Sequence, residues 1–305
     1  MTIVLANFKI FVVNIIIAAT PDALALRAAD DLMQWMTPLA APLLCPASGD
    51  TPAGLYRELL ARARKGLLNM DSWSFVGLDE WGGMNGMDEG SCRWHLDQQF
   101  FQPLGIKDER IQFFDGRAAD LNGECSAAEN FIREKGGIDL AILGLGLNGH
   151  VAMNEPGSSP AQRSHIADIH PSTQQAGQKY FRGFNQSQGQ ANPFNTDYPF
   201  DTDYLSNTDL LGDIDLSLGI TLGLADLLEA RYIFLMVTGA HKAAIIKEVL
   251  EGEITKEIPA SLLRDHPGLT VYLDLAAAQY LTHHGANPGQ PGGSFPSAGN
   301  HNPDA

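Results

Sequence analysis

Positive charge is scarce in this chain: 20 Lys and Arg stand against 36 Asp and Glu over 305 residues, a formal net charge of −16. Nucleic-acid binders draw affinity from cations that neutralise phosphates, so this balance argues against such a partner. It leaves room for a small anion, which one or two buried cations or a helix N-terminus can hold. Cysteine is scarce too. Cys45, Cys92 and Cys125 are odd in number and widely spaced, with no CxxC pair, which disfavours a disulfide framework or a cysteine zinc site and fits a reducing, cytoplasmic location. Cys45 adjoins a Gly-rich loop and reads as a buried structural cysteine ahead of a reactive thiol. Long apolar runs are also lacking. The N-terminal one follows Lys9 in the manner of a weak signal sequence, but Asn14 interrupts it and it is too short to span a bilayer. Residues 1–23 therefore read as an opening strand leading into a helix, with no membrane partner.

What the chain does have is organised around Asp139 to Ser159, DLAILGLGLNGHVAMNEPGSS. The apolar run from Leu140 to Leu143, bounded by glycines, has the character of a central parallel strand covered on both faces. Beyond it come Gly144, Gly146 and Gly149, then His150, Asn154 and Glu155. In open parallel sheets, ligands lie past the carboxyl ends of the strands, where His150 and Glu155 would fall.

The rest alternates strands and helices. Pro21 to Met36 has an amphipathic helical period. Ala41 to Cys45 reads as a short strand that enters Pro46-Ala47-Ser48-Gly49-Asp50-Thr51-Pro52, ahead of a helix over Ala53 to Leu68. Strand, Ser/Gly/Thr loop and helix form the layout of a phosphate cradle, although a helix-capping turn uses the same residue types. Trp73 to Leu78 reads as a strand ending in Asp79-Glu80, which is either general-base material or a solvated acidic turn. Ser91 to Phe101 and Cys125 to Lys135 look helical, with a short strand over Ile111 to Phe114 between them. Leu216 to Ala230 is expected as a helix. The strand Tyr232 to Val237 then reaches a turn at Lys242, a cation able to contact an anion or to pair in solvent. A helix over Ala243 to Leu250, the segment Pro259 to Leu263 and a strand over Leu269 to Leu273 complete the fold.

This pattern predicts an α/β fold: an open, mostly parallel, doubly wound, Rossmann-like sheet with helices on both faces, in one catalytic domain over residues 1–284. Residues 182–215, rich in Asn, Gln and Asp, are expected to be a mobile insertion, and 285–305, rich in Pro and Gly, a disordered tail.

Four blocks in register carry a resemblance to the glucosamine-6-phosphate deaminase family, which also includes 6-phosphogluconolactonases and galactosamine-6-phosphate isomerase/deaminases. They are Ser-Gly-Asp-Thr-Pro at 48–52, Gly-Leu-Asp-Glu-Trp at 77–81, Gly-x-Gly-x-Asn-Gly-His-x-x-x-Asn-Glu-Pro at 144–156, and Thr-Gly-Ala-His-Lys-Ala at 238–243. Most of residues 20–280 is covered. The resemblance implies a hexosamine 6-phosphate substrate and no metal or organic cofactor. Asp79 would move a proton between C2 and C1, His150 would open the sugar ring, and Glu155 would hold or tune His150, which is expected to titrate near neutral pH. The phosphate would lie on Ser48, Gly49 and Thr51, with Lys242 and Lys179 supplying charge. Glu155 disfavours the lactonase branch. The presence of both Asp79 and His150 disfavours a sensor that has lost turnover.

Two positions depart from the family's pattern. Asn148 stands where glucosamine deaminases carry an Asp, so its amide brings no charge to an imidazolium; the surrounding motif form is closer to the galactosamine-6-phosphate branch. Asp50 stands where relatives usually have glycine, and a carboxylate facing the phosphate would repel it, so Asp50 is expected to turn outward or cap the following helix. A homo-oligomer is compatible with the sequence.

Overall fold

The computed structural model describes residues 13–181 and 216–282. The expected insertion at 182–215, the tail at 285–305 and the start of the N-terminal strand at 1–12 lie outside the described residues.

Seven strands build the main sheet: β1 (Asn14–Ala18), β2 (Leu43–Cys45), β3 (Ser74–Val76), β5 (Ile111–Gln112), β6 (Leu140–Leu143), β9 (Tyr232–Val237) and β10 (Leu269–Asp274). Their order is β1-β10-β9-β6-β2-β3-β5, and every pairing is parallel. Alternate residues of each central strand enter two separate cores, as the two-residue period of a strand requires. Leu43, Cys45, Ala141, Leu143 and Leu235 face one core; Leu44, Leu140, Ile142 and Phe234 face the other. The second core is closed by α1 (Pro21–Met36) and α2 (Asp50–Arg64). The first is closed by α4 (Leu121–Lys135), α7 (Ala243–Glu251) and α8 (Leu275–Ala278). Helices on both faces of an open parallel sheet match the expected fold class.

Helix α1 has the predicted bounds because its signals are local. Thr20 caps it, accepting from Ala23 N–H, Pro21 occupies the first turn, and Leu24, Ala28, Leu32 and Met36 are buried along one stripe. Helix α2 begins three residues before its expected start, at Asp50, so the Ser-Gly turn is the helix N-terminus itself.

A second, three-stranded antiparallel sheet in the order β4-β8-β7 was not anticipated. It joins β4 (Asp79–Trp81), β7 (His165–Asp168) and β8 (Leu218–Thr221). The helix expected over Leu216 to Ala230 is therefore corrected to β8 followed by the short α6 (Leu224–Leu228). Leu216, Leu218, Ile220 and Leu222 alternate with period two, and pairing with β4 on one side and β7 on the other satisfies the backbone that a helix would have satisfied internally. The strand expected to run to Leu78 stops at Val76. Gly77 lies against the Phe113 ring, 2.6 Å from where a Cβ would stand, and the chain then leaves the main sheet for β4. Asp79 and Glu80 are thus buried strand residues, 9% and 0% exposed, and the solvated-turn alternative is excluded.

Gly219 is the point of closest approach in β8: a Cβ there would lie 2.2 Å from the Met153 sulphur and 3.0 Å from Ile169. Replacing Gly219 with Val is expected to lower unfolding free energy by about 1–3 kcal/mol, read from the urea midpoint. Because Trp81 pairs with Gly219 and Asp79 with Thr221, the same variant should lose activity. Wild-type stability in Gly219→Val would refute this packing.

Candidate active site

All four sequence blocks leave the carboxyl ends of strands that are neighbours, in the order β9-β6-β2-β3. The chain walks outward from β2 to β3 and β5, then returns to β6 on the other side of β2. Such a reversal opens a crevice between the loops, the usual ligand position of a doubly wound sheet.

Within the loop after β6, three polar side chains are bonded in series. Asn148 Nδ2 donates to Glu155 Oε2 at 2.7 Å, and Asn148 Oδ1 lies 2.7 Å from His150 Nδ1. A carboxylate only accepts, so the amide nitrogen must face Glu155 and the amide oxygen must face His150. That orientation makes His150 Nδ1 the protonated nitrogen and leaves Nε2 as the free acceptor. Asn148 Oδ1 also accepts the His150 backbone N–H at 3.2 Å, and Thr173 Oγ1 sits 3.2 Å from Nδ1. The imidazole packs onto Gly146 so closely that a Cβ there would be 2.2 Å from the ring. Burial lowers the His150 pKa to about 4, against the opposing pull of Glu155. The expectation that this histidine titrates near neutrality is corrected: it is uncharged at neutral pH because desolvation outweighs a carboxylate held 3.6 Å away. Ala152 is the one non-glycine with positive φ among the described residues, at 53°. It lies in the turn between His150 and Glu155, which Asn154 closes by donating to Val151 O at 3.1 Å and ties to the residue after β8 by donating to Leu222 O at 2.9 Å.

On β4 the two adjacent carboxylates have opposite fates, since strand neighbours point to opposite faces. Glu80 accepts from the backbone N–H groups of Trp81, Cys92 and Arg93, each at 2.9 Å. It anchors the start of α3 (Cys92–Leu96); burial raises its carboxyl to about 7 in spite of those bonds. Among the described residues Asp79 has no such backbone support. Burial raises it to about 6, opposed by a hydrogen bond from Cys92.

The loop after β2 places Gly49 at the N-terminus of α2 with φ 106° and no side-chain cap, Thr51 in the first turn, and Ser48 just ahead of the turn. The Tyr180 hydroxyl overhangs Gly49, 2.9 Å from a Cβ built there. Asp50 turns away from the loop to Lys179, with Nζ to Oδ2 at 2.7 Å. The expected outward turn of Asp50 is therefore found, and the expected contribution of Lys179 is changed, because its charge is already matched. Lys242 reaches across from the β9 loop and donates to Leu145 O at 2.6 Å. Burial, then the charge of Lys179, lowers its pKa to about 8. Lys242 also acts on the protonation of His150, so the two lysines and the histidine share one electrostatic neighbourhood.

Comparison with known proteins decides the family. No protein-family model matches the chain. A glucosamine-6-phosphate deaminase of Bacillus velezensis is 30% identical over 265 residues, covering 87% of this chain and 98% of the relative. One from Shouchella clausii is 31% identical over 272 residues, covering 88% and 98%. This chain belongs to the glucosamine-6-phosphate deaminase family. Among solved structures, a monomeric glucosamine-6-phosphate deaminase matches with TM-score 0.73 and 28% identity, over 87% of this chain and 99% of that one. The 6-phosphogluconolactonase of Trypanosoma brucei matches with TM-score 0.62 at 19% identity, over 88% and 98%, a likeness of fold.

Four site-lining residues of this deaminase-family chain escape sequence reasoning. Thr173, Tyr180, His95 and Cys92 come from segments that carry no motif. Tyr180 stacks edge-on to His95 at 4.9 Å, and His95 Nε2 is buried without a hydrogen-bond partner among the described residues. Burial lowers the His95 pKa to about 4. All three cysteines are buried, as expected for Cys45, and Cys92 is the one that acts on the protonation of Asp79. Only the Ser91 cap, accepting from Trp94 N–H, marks that helix start in the sequence.

The Asn148 bridge makes a direct prediction. Asn148→Asp places a carboxylate against the imidazole, and the His150 pKa is expected to rise from about 4 by roughly one pH unit or more. Titration of the His150 ring resonances by NMR reads this; an unchanged midpoint would contradict the bridge geometry.

Proposed function

We propose that this hexosamine-phosphate deaminase converts glucosamine 6-phosphate to the ketose 6-phosphate and ammonia, with Asp79, His150, Glu155 and Asn148 as the proton-handling groups. What supports the reading is a neutral imidazole in a fixed tautomer and a buried carboxylate, on chain segments that leave the carboxyl ends of strands in one sheet.

Ring opening requires that the C1 hydroxyl lose a proton and the ring oxygen gain one. His150 Nε2, its lone pair freed by the Nδ1 hydrogen bond to Asn148, takes the first and delivers it as the second. Asn148 carries no charge, so the negative charge that steadies the transient imidazolium is that of Glu155, one hydrogen bond further back. Asp79 then removes the C2 proton of the open aldose while a proton of the substrate ammonium passes to O1, giving an enolamine, and Asp79 returns its proton at C1. The resulting C2 iminium adds water and loses ammonia. A carboxylate whose burial brings its pKa to about 6 is a stronger base than a solvated one and is still ionised at neutral pH.

The phosphate is assigned to the α2 N-terminus, with Ser48, Gly49 and Thr51 as donors and Lys242 and Lys179 as the cations. Lys242 is the better placed of the two, because its present partner is a carbonyl and that of Lys179 is a carboxylate. Galactosamine 6-phosphate is the second reading. It rests on Asn148 and on the form of the 77–81 and 144–150 motifs; the names of the relatives favour the gluco epimer.

Purified protein incubated separately with glucosamine 6-phosphate, galactosamine 6-phosphate and 6-phosphogluconolactone should release ammonia and ketose phosphate from the first. Lactone hydrolysis alone would overturn the reading. Asp79→Asn should reduce turnover by roughly 10²–10⁴-fold while substrate binding, measured by calorimetry, is largely kept; a near-normal rate would remove Asp79 from the base role. The pH profile of kcat/KM should fall below about 6, where Asp79 is protonated, and above about 8, where Lys242 loses its charge. A profile flat across either limit would detach that group from its role.

A further inference from the structure

Asp50 and Lys179 meet at the N-terminus of α2, where the phosphate is assigned. Asp50 is the first residue of that helix, between Gly49 and Thr51, and its Oδ2 accepts from Lys179 Nζ at 2.7 Å. A carboxylate in the first turn suits the helix dipole without any partner; the contact with Lys179 is additional. Lys179 is also held from its own side of the loop. Its ammonium lies 4.7 Å from the centroid of the Tyr180 ring, and the hydroxyl of that ring overhangs Gly49. Both side chains of the pair are more than half exposed, 51% for Lys179 and 66% for Asp50. Solvent therefore screens the pair, and an incoming anion can exchange with the carboxylate.

We propose that Asp50 is an intramolecular competitor for the substrate's phosphate: it occupies the ammonium of Lys179, so the phosphate gains that cation only by displacing the carboxylate, and residue 50 sets the affinity. The inference rests on the assignment of the phosphate to the α2 N-terminus. The two cations of the site are then unequal. Lys242 gives up a neutral partner, Leu145 O at 2.6 Å, whereas Lys179 gives up a negative one. Removing the charge at residue 50 frees the second cation and leaves Ser48, Thr51 and Lys242 as they are. The phosphate sits on C6, away from C1 and C2 where bonds change, and it stays bound from substrate to product. Asp50 thus weakens substrate, transition state and product alike, which raises KM and leaves kcat in place.

The test is a double-mutant cycle on Asp50→Asn and Lys179→Met, read by calorimetric titration with inorganic phosphate and by KM and kcat for glucosamine 6-phosphate. Asn keeps the size of Asp and removes its charge. Asp50→Asn should tighten phosphate binding and lower KM by about two- to five-fold, the range of an exposed ion pair, with kcat retained. Lys179→Met should weaken phosphate binding. In that background Asp50→Asn should add little, because no ammonium is left to release. Asp50→Glu, which keeps a carboxylate within reach of Lys179, should hold the wild-type affinity. An unchanged affinity in Asp50→Asn overturns the proposal. So does a gain of full size in the Lys179→Met background, which would mark simple repulsion of the phosphate by Asp50 in place of competition for the lysine. Misassignment of the phosphate loop gives a different result: Ser48→Ala and Lys242→Met would then leave phosphate affinity unmoved, whereas failure of the competition alone leaves both of those variants weakened.

Discussion

Parallel pairing of β3, β2, β6 and β9 puts four carboxyl ends side by side, and every feature of the site depends on it. Each of these strands is buried on both faces, so polar side chains cannot be spent along its length and collect in the loop that follows. The order of the strands reverses between β2 and β6, which leaves a crevice between a helix N-terminus on one side and the His150 loop on the other. Gly49 and Gly146 line that crevice, one in the left-handed region and the other in direct contact with an imidazole.

Burial sets the chemistry as much as placement does. A histidine that stays neutral, a carboxylate raised to about 6 and a lysine lowered to about 8 are three results of the same desolvation. Where the protein needs charge inside this region it supplies a partner. Glu80 is met by three backbone N–H groups, and at the exposed margin Asp50 and Lys179 meet each other. The replacement of a carboxylate by Asn148 fits the same logic. An amide spares the loop a second buried negative charge beside Glu155, and by donating to Glu155 it still presents an oxygen to His150.

The second sheet connects these elements. Through β8 it joins the strand that carries Asp79 to β7, and Asn154 binds the His150 loop to the residue that follows β8. Asp79 and the His150 loop are thus held by one small antiparallel unit built on the end of the parallel sheet. Gly219, in contact with Met153, sets how closely that unit packs on the loop.

By itself the sequence determined the fold class, the parallel core strands, α1 with its bounds, and the four loop blocks, because each follows from local period, capping or an ordered motif. It also exposed Asn148 and Asp50 as departures. Tertiary structure alone decided three matters. The period-two run at Leu216–Leu222 became a strand because β4 and β7 lie on either side to pair with it. His150 became neutral because surrounding atoms exclude water from it. Asn148 acquired a fixed orientation because Glu155, seven residues on, folds back to accept its amide. Cys92, Thr173, Tyr180 and His95 belong with these. Their positions beside the site are set by chain segments remote in sequence, and no local pattern encodes such a contact.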